Sequence, residues 1–145
     1  KPHYRISMKT FKNLLIGAFI LAALNSYSQC DSIALLCSDH ITSGFISDGQ
    51  MYRALLIDDQ IAEFHTTFYG DAKYRIASCS GTTDGNLLFR VFDEERNFIF
   101  TNEEYLNAPY WDFDVKSTMN CVIEAQLDPS ALSSGCAVLL IGFKQ

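Results

Sequence analysis

After Gly44 the sequence consists of short segments in which apolar and polar residues alternate, separated by turn-forming residues. In the segment 62–69, for example, Phe64 and Phe68 fall on one side and Glu63 and His65 on the other. A period of two is the pattern of a half-buried β-strand. Turn signals recur at roughly 8–12 residues, the spacing typical of all-β sandwiches. No segment is predicted to form a helix long enough for repeated strand-helix-strand units, which argues against a doubly wound sheet.

About eight segments are predicted to be strands, and a short helix capped by Asp31 is predicted over 31–39. The strands are 51–57, 62–69, 73–79, 87–93, 98–100, 110–115, 119–127 and 136–143. The last is nearly all apolar, as expected of a central strand covered on both faces. Turn residues at 80–86 and 94–97 predict hairpins. We therefore predict an all-β fold, an antiparallel, jelly-roll-like two-sheet sandwich in a single domain over 29–145.

The N-terminal part has the order of a secretory signal peptide over residues 8–28. Basic residues follow Met8, an apolar run covers 14–24, and small residues precede a predicted cut after Ser28. The apolar run is shorter than the roughly 20 residues that span a bilayer, so no membrane span is expected after cleavage. Residues 1–7 are interpreted as upstream flank. The predicted location is exported, either periplasmic or extracellular.

Charge restricts the partners of the predicted mature chain. Four of the eleven Lys and Arg residues precede Gln29 and all seventeen acids follow it, so residues 29–145 carry a net charge of −10. Such a surface repels phosphate backbones, which argues against nucleic acid as a partner. Carbohydrate and protein are the ligand classes that remain. Calcium is the one cofactor that the acidic residues would suit, although no Asp-x-Asp-x-Asp-Gly loop is present.

All five cysteines follow the predicted cut, and export favours disulfides. If strands 119–127 and 136–143 form a hairpin, Cys121 and Cys136 lie too far apart to bond. Cys30 and Cys37 are then the predicted pair, with Cys79 as another candidate partner. A helix over this segment would place Cys30 and Cys37 nearly two turns apart. Lipidation of Cys30 is an alternative that its place after the apolar run allows.

Several segments carry a family resemblance: a strand with Phe64, then 73–76 (KYRI), 85–93 (GNLLFRVFD) and 136–142 (CAVLLIG). This order resembles the bacterial pre-peptidase C-terminal domain, a β-sandwich that usually accompanies a protease. The chain is also similar to secreted proteins of Bacteroidota-type bacteria, whose leaders often end before Gln, as here at Gln29. The resemblance implies a sandwich fold and brings no catalytic residues.

The acidic aromatic segment 105–114 supplies the candidate ligand-binding residues. Tyr110, Asp112 and Asp114 share the predicted solvent face, while Trp111 is predicted to point into the core. A ring and carboxylates of this kind can hold a sugar or a calcium ion. We predict that Tyr110, Asp112 and Asp114 bind the ligand of a non-enzymatic binding or interaction module.

A small secreted hydrolase or a protease-accessory domain is the alternative function. Glu63 with His65, and Asp39 with His40, are the pairs able to perform acid-base chemistry. No catalytic motif such as Gly-x-Ser-x-Gly or His-Glu-x-x-His is present. The sequence therefore favours a module with no catalytic residues and no metal site.

Overall fold

The computed structural model describes residues 25–42 and 44–144, which form one α-helix, two 3-10 turns and eight strands. Helix α1 spans Asn25–Ser38, and the 3-10 turns span Asp39–Ile41 and Asn102–Tyr105. The strands are β1 Ile46–Ile57, β2 Ile61–Phe68, β3 Ala72–Cys79, β4 Leu87–Asp93, β5 Phe98–Thr101, β6 Tyr110–Val115, β7 Met119–Leu127 and β8 Ser134–Lys144. The apolar run of the predicted leader, 14–24, lies outside the described residues.

The strands form two antiparallel four-stranded sheets, so the predicted all-β sandwich is confirmed. Sheet I has the order β1-β8-β3-β6 and sheet II the order β2-β7-β4-β5. The first strand pairs with the last, the second with the seventh, the third with the sixth and the fourth with the fifth. This nested pairing is that of one long hairpin rolled into two layers, the jelly roll.

The core lies between the inner faces of the two sheets, where the alternating apolar residues of each strand meet. Its fully buried side chains include Ile76, Leu87, Phe89, Val91, Ile123, Leu127, Leu139 and Ile141. Trp111 and Phe113 are half-buried and pack against this core, as their alternation with Asp112 and Asp114 predicted. The edge position of β6 explains why these two rings keep some exposure.

Helix α1 covers the outer face of sheet I and makes β8 a strand that is buried on both sides. Ile33, Ala34 and Cys37 of the helix pack with Val138 and Leu140 of β8. The prediction of a doubly covered central strand from the apolar run 136–143 is therefore confirmed. Val138 and Leu140 point toward the helix, whereas their neighbours Leu139 and Ile141 point between the sheets.

Two predicted hairpins are wrong. Strands β3 and β4 lie in different sheets, and so do β7 and β8. Their connections are corners between layers, because the jelly roll pairs β3 with β6 and β8 with β1 and β3. The third predicted hairpin, β4 with β5, is confirmed. Turn residues mark where a strand ends, and they do not determine which strand the chain pairs with next.

The predicted disulfide between Cys30 and Cys37 is wrong. The structure pairs Cys30 with Cys136 and Cys37 with Cys79, with Cα–Cα distances of 5.4 and 5.7 Å. Seven residues of helix rise about 10 Å, beyond the reach of a disulfide. Two full turns do place both cysteines on the same face, so each meets a strand of sheet I instead.

The remaining cysteine, Cys121, is free and buried. It does not bond to Cys136, as expected, but the reason is that β7 and β8 belong to different sheets. The sulfur of Cys30 is bonded to Cys136, which leaves no thiol at Cys30 for a lipid thioether. Within the described part of the chain, α1 is too short and too polar to qualify as a membrane-spanning helix.

Candidate functional site

A groove of about 910 Å³ opens between β1 and β2, the edge strands that lie on the same side of the two sheets. Residues of β1, β2, β3, β7, β8 and two loops line it. They are Asp48, Gln50, Tyr52, His65, Thr66, Thr67, Tyr69, Gly70, Ala72, Tyr74, Glu94, Asn120, Cys121, Val122, Ile141 and Phe143. We define this set as the edge groove. Its size lies in the range of ligand sites.

A bulge in β1 shapes one wall of the edge groove. Ser47 is opposite Gly142 and Met51 is opposite Leu140, so β1 has two more residues than β8 between these pairs. Gly49 takes a φ of +78°, which favours glycine, and the Gln50 backbone N–H donates to the Asp48 carboxylate (2.9 Å). The bulge redirects Asp48 and Gln50 to the groove, which is a common role of bulges near sites.

Aromatic rings form much of the remaining surface of the groove. The Tyr52 hydroxyl donates to the side-chain oxygen of Gln50 (2.6 Å). The Tyr74 hydroxyl accepts from the Tyr69 backbone N–H (3.0 Å), and the Tyr74 and Phe143 rings lie 6.1 Å apart. These bonds fix the ring positions, so the groove has a preformed aromatic wall with polar groups at its margin.

The charges that line the groove are acidic. Asp48 and Glu94 contribute carboxylates, and the lining set contains no Lys or Arg. Glu94 accepts a hydrogen bond from the Asn120 amide (3.2 Å), which itself accepts one from Thr67 (2.8 Å). Burial raises the pKa of Asp48 above its ordinary value, against an opposing backbone hydrogen bond from Gln50. A carboxylate with a raised pKa in a cleft is a typical feature of binding sites.

Cys121 lies at the inner end of the groove and is only 2% exposed. Burial, and to a lesser extent the charge of Asp93, raises the pKa of its thiol to about 11. At neutral pH the group is therefore protonated, and it is a poor nucleophile because the thiolate is the reactive form.

We predict that iodoacetamide at pH 8 alkylates Cys121 in the folded, oxidised protein roughly 100-fold more slowly than in urea, because the thiolate fraction falls about tenfold per pKa unit. Mass spectrometry of the alkylated chain over time gives both rates. The four disulfide-bonded cysteines stay unlabelled and serve as the internal control. Rapid labelling of the native protein would mean that the Cys121 thiol is accessible and ionised.

The predicted ligand residues Tyr110 and Asp112 lie on the outer face of sheet I, away from the edge groove, and are engaged within the chain. Arg75 makes a bidentate ion pair with Asp112 (2.7 and 3.0 Å), and its guanidinium lies between the rings of Phe45 and Tyr110 at 4.3 and 4.2 Å. These contacts with Asp112 raise the pKa of Arg75. Arg75 also donates to the His40 carbonyl (3.0 Å), so the cluster fastens the segment after α1 to the sheet.

Asp114 is the third predicted ligand residue, and it does not take part in the Arg75 cluster of Tyr110 and Asp112. Its carboxylate is 3.6 Å from Lys73, and it lines a recess of about 390 Å³ that also contains Lys116 and Lys144. The three lysines would repel a calcium ion. No group of three or more His, Cys, Asp or Glu side chains within 25–42 and 44–144 is placed to hold a metal ion.

The two histidines proposed for acid-base chemistry lie in different parts of the surface. His65 is bonded to Glu63 (3.0 Å), as predicted, with 72% of its side chain exposed. His40 pairs with Asp84 (2.9 Å) of the β3–β4 connection, not with its neighbour Asp39. In the described residues no hydrogen bond joins either ring to a serine, threonine or cysteine side chain.

Sequence reasoning missed most of the edge groove. The first strand is predicted to begin at 51, whereas β1 begins at Ile46 and includes Asp48 and Gly49. A glycine inside a strand pattern is a known signal of a bulge, and it was available at Gly49. Tyr52, Tyr69 and Tyr74 gave no such signal, because their convergence depends on which sheet each strand joins.

No protein-family model and no curated protein sequence matches this chain. Among solved structures, it is similar to PliG of Aeromonas hydrophila, a periplasmic inhibitor of g-type lysozyme. The similarity has a TM-score of 0.51 at 12% sequence identity and covers 71% of this chain and 90% of that chain. At this identity the likeness shows that the two proteins share a fold.

Proposed function

We propose that this chain is an exported, non-enzymatic binding module that holds a protein ligand at the edge groove. The observation that carries the proposal is the groove itself, a preformed concave surface with fixed aromatic rings and carboxylates that no cation of the described residues neutralises. Aromatic side chains are enriched where proteins bind each other, because they bury a large area with little loss of side-chain entropy.

The side chains that line the groove suit a binding site better than a catalytic site. Among the described residues that line it, His65 is the only histidine, and the ring is exposed and paired with a carboxylate that also binds Arg96 (2.5 Å). Cys121 is the only cysteine of this lining, and its raised pKa keeps the thiol protonated. Neither group is aligned with a nucleophile or an acid partner inside the cleft, which a hydrolase would require.

Export is supported by three independent features. The predicted leader over 8–28 precedes the domain, and both disulfides join α1 to sheet I, which fits an oxidising compartment. The third feature is the shared fold with a periplasmic inhibitor. The same likeness favours a protein as the ligand over a glycan. The resemblance to pre-peptidase C-terminal domains leaves a protease-accessory role as the second candidate.

The first test is binding and inhibition with a defined protein. Calorimetry and a cell-wall lysis assay should measure whether the exported, oxidised chain binds and inhibits a g-type lysozyme, with c-type lysozyme and a protease as further ligands. Gln50→Trp places a bulky ring in the groove from an exposed position, and we expect it to weaken binding at least about tenfold by steric exclusion.

Thr82→Trp is the matched control, because Thr82 is exposed in the β3–β4 connection and does not line the groove. Its affinity should equal that of the unchanged chain. Equal loss in both variants, or none in either, would remove the groove from the proposal. Saturable binding of soluble cell-wall oligosaccharides, with no binding of any protein, would show that the ligand is a glycan and not a protein.

A further inference from the structure

We infer that the edge groove receives a basic side chain, arginine or lysine, presented by an extended segment of the protein ligand. This inference rests on the proposed function and specifies what the groove recognises. It follows from three features of the described residues: carboxylates without cations, aromatic rings beside them, and two unpaired strand edges at the mouth of the groove.

The carboxylates of Asp48 and Glu94 are not neutralised within the described chain. Asp48 accepts from the Gln50 backbone N–H and Glu94 from the Asn120 amide, and neither forms an ion pair there. The raised pKa of Asp48 agrees with a partly desolvated carboxylate that lacks a nearby cation. A guanidinium or ammonium group would supply the missing charge through charge-assisted hydrogen bonds.

The arginines of the described residues pair with carboxylates elsewhere, so none of them neutralises the groove. Every arginine of the described part is paired with carboxylates outside the groove. The pairs are Arg53 with Asp31, Arg75 with Asp112, Arg90 with Glu103, and Arg96 with Glu63 and Glu124. Lys144 lies over the Phe45 ring at 4.8 Å, on the outer face of sheet I. Because these pairs satisfy the local charges, the negative charge of the groove is available to a partner.

The rings of Tyr52 and Tyr69 line the groove and make it better suited to a cation than an acidic loop would be. A cation over an aromatic face gains attraction from the ring, and the gain rises when the site is partly desolvated. The methylene stem of an arginine or lysine can also pack on these rings while its charged end reaches one of the two carboxylates. A small inorganic cation would use the carboxylates alone and leave the rings without a role.

The strands at the mouth favour an extended peptide as the carrier of the basic residue. Among residues 25–42 and 44–144, β1 pairs only with β8 and β2 only with β7, so within that part each has a free row of backbone N–H and C=O groups beside the groove. An added strand can bond to such an edge while every second side chain enters the adjacent pocket. The partner therefore needs a short β-strand-forming segment with a central arginine or lysine.

The probe is a capped five-residue peptide, Thr-Val-Arg-Val-Thr, with a matched peptide in which citrulline replaces arginine. Citrulline keeps the shape of the side chain and removes its charge. Titration followed by amide NMR of the oxidised protein should show saturable shifts at groove residues for the arginine peptide. We expect the citrulline peptide to bind about tenfold more weakly, as for the loss of one charge-assisted hydrogen bond.

Asp48→Asn should weaken binding of the arginine peptide by a similar factor. Glu94→Gln removes the second carboxylate, which lies in an exposed loop. Asp59→Asn removes the same charge from the β1–β2 turn outside the groove and should leave the affinity unchanged. Retained NMR dispersion shows that each variant is folded. Equal binding of the two peptides, or equal loss with Asp59→Asn, overturns the inference. If Gln50→Trp abolishes protein binding while the arginine peptide does not bind, the inference fails and the proposed function stands.

Discussion

Replacing Cys30 and Cys136 together by alanine should lower the free energy of unfolding by about 5 kcal/mol. The bond joins residues 106 positions apart, so it restricts nearly the whole described chain when the protein unfolds. In the chain-entropy model the stabilisation grows with loop length, and this loop is among the longest that the sequence allows. Urea unfolding of both proteins, followed by tryptophan fluorescence from Trp111, measures the difference.

The second disulfide supplies the comparison. Cys37 and Cys79 are 42 positions apart, so their removal should cost about 4 kcal/mol, less than the first pair. This loop lies inside the larger one, so each bond shortens the loop that the other closes, and the two losses should not add exactly. A larger loss from the inner pair than from the outer pair would show that helix docking, rather than loop entropy, determines the effect.

Sequence alone predicted the local features of this fold well. The bounds of β4, β6 and β7 coincide with the predicted segments, and Trp111, Phe113 and Ile123 face inward as their alternation required. These features depend on period-two alternation and turn residues, which are properties of a few adjacent residues. The sandwich class followed from the spacing of the turns.

The long-range pairing was not predictable in the same way. Nothing local to Ile46–Ile57 indicates that β1 pairs with Ser134–Lys144 at the other end of the chain. The same limitation explains the wrong disulfide. Cys79 and Cys136 come within reach of the two helix cysteines only when β3 and β8 lie side by side beneath α1. The predicted hairpin between β7 and β8 is wrong, although the exclusion of a Cys121–Cys136 bond that was drawn from it is correct.

The candidate site shows how little of a groove can be predicted from local composition. Tyr110 and Asp112 stood out in the sequence, yet the structure uses both to hold Arg75. A carboxylate that already has a bidentate partner gains little from a ligand. The edge groove instead collects residues from five strands, and none of these residues is exceptional within its own segment.

Changing Asn102 to alanine should lower the free energy of unfolding by about 4 kcal/mol, because it would leave several buried backbone groups without partners. Asn102 is fully buried just after β5. Its side-chain oxygen accepts from the Phe89 N–H (2.8 Å), and its amide donates to the carbonyls of Leu87 (3.0 Å) and Ala108 (3.1 Å). One side chain thus ties the start of β4 to the loop before β6.

The measurement is again urea unfolding, with two companion variants that separate hydrogen bonding from volume. Asn102→Asp keeps the shape but replaces the donor by an acceptor facing two carbonyls, so it should cost at least as much as alanine. Glu104→Ala changes an exposed residue of the same 3-10 turn and should stay within about 0.5 kcal/mol of the unchanged chain. If Asn102→Asp were tolerated while alanine was not, the space that Asn102 fills would matter more than its three hydrogen bonds, and the loop would be held by packing.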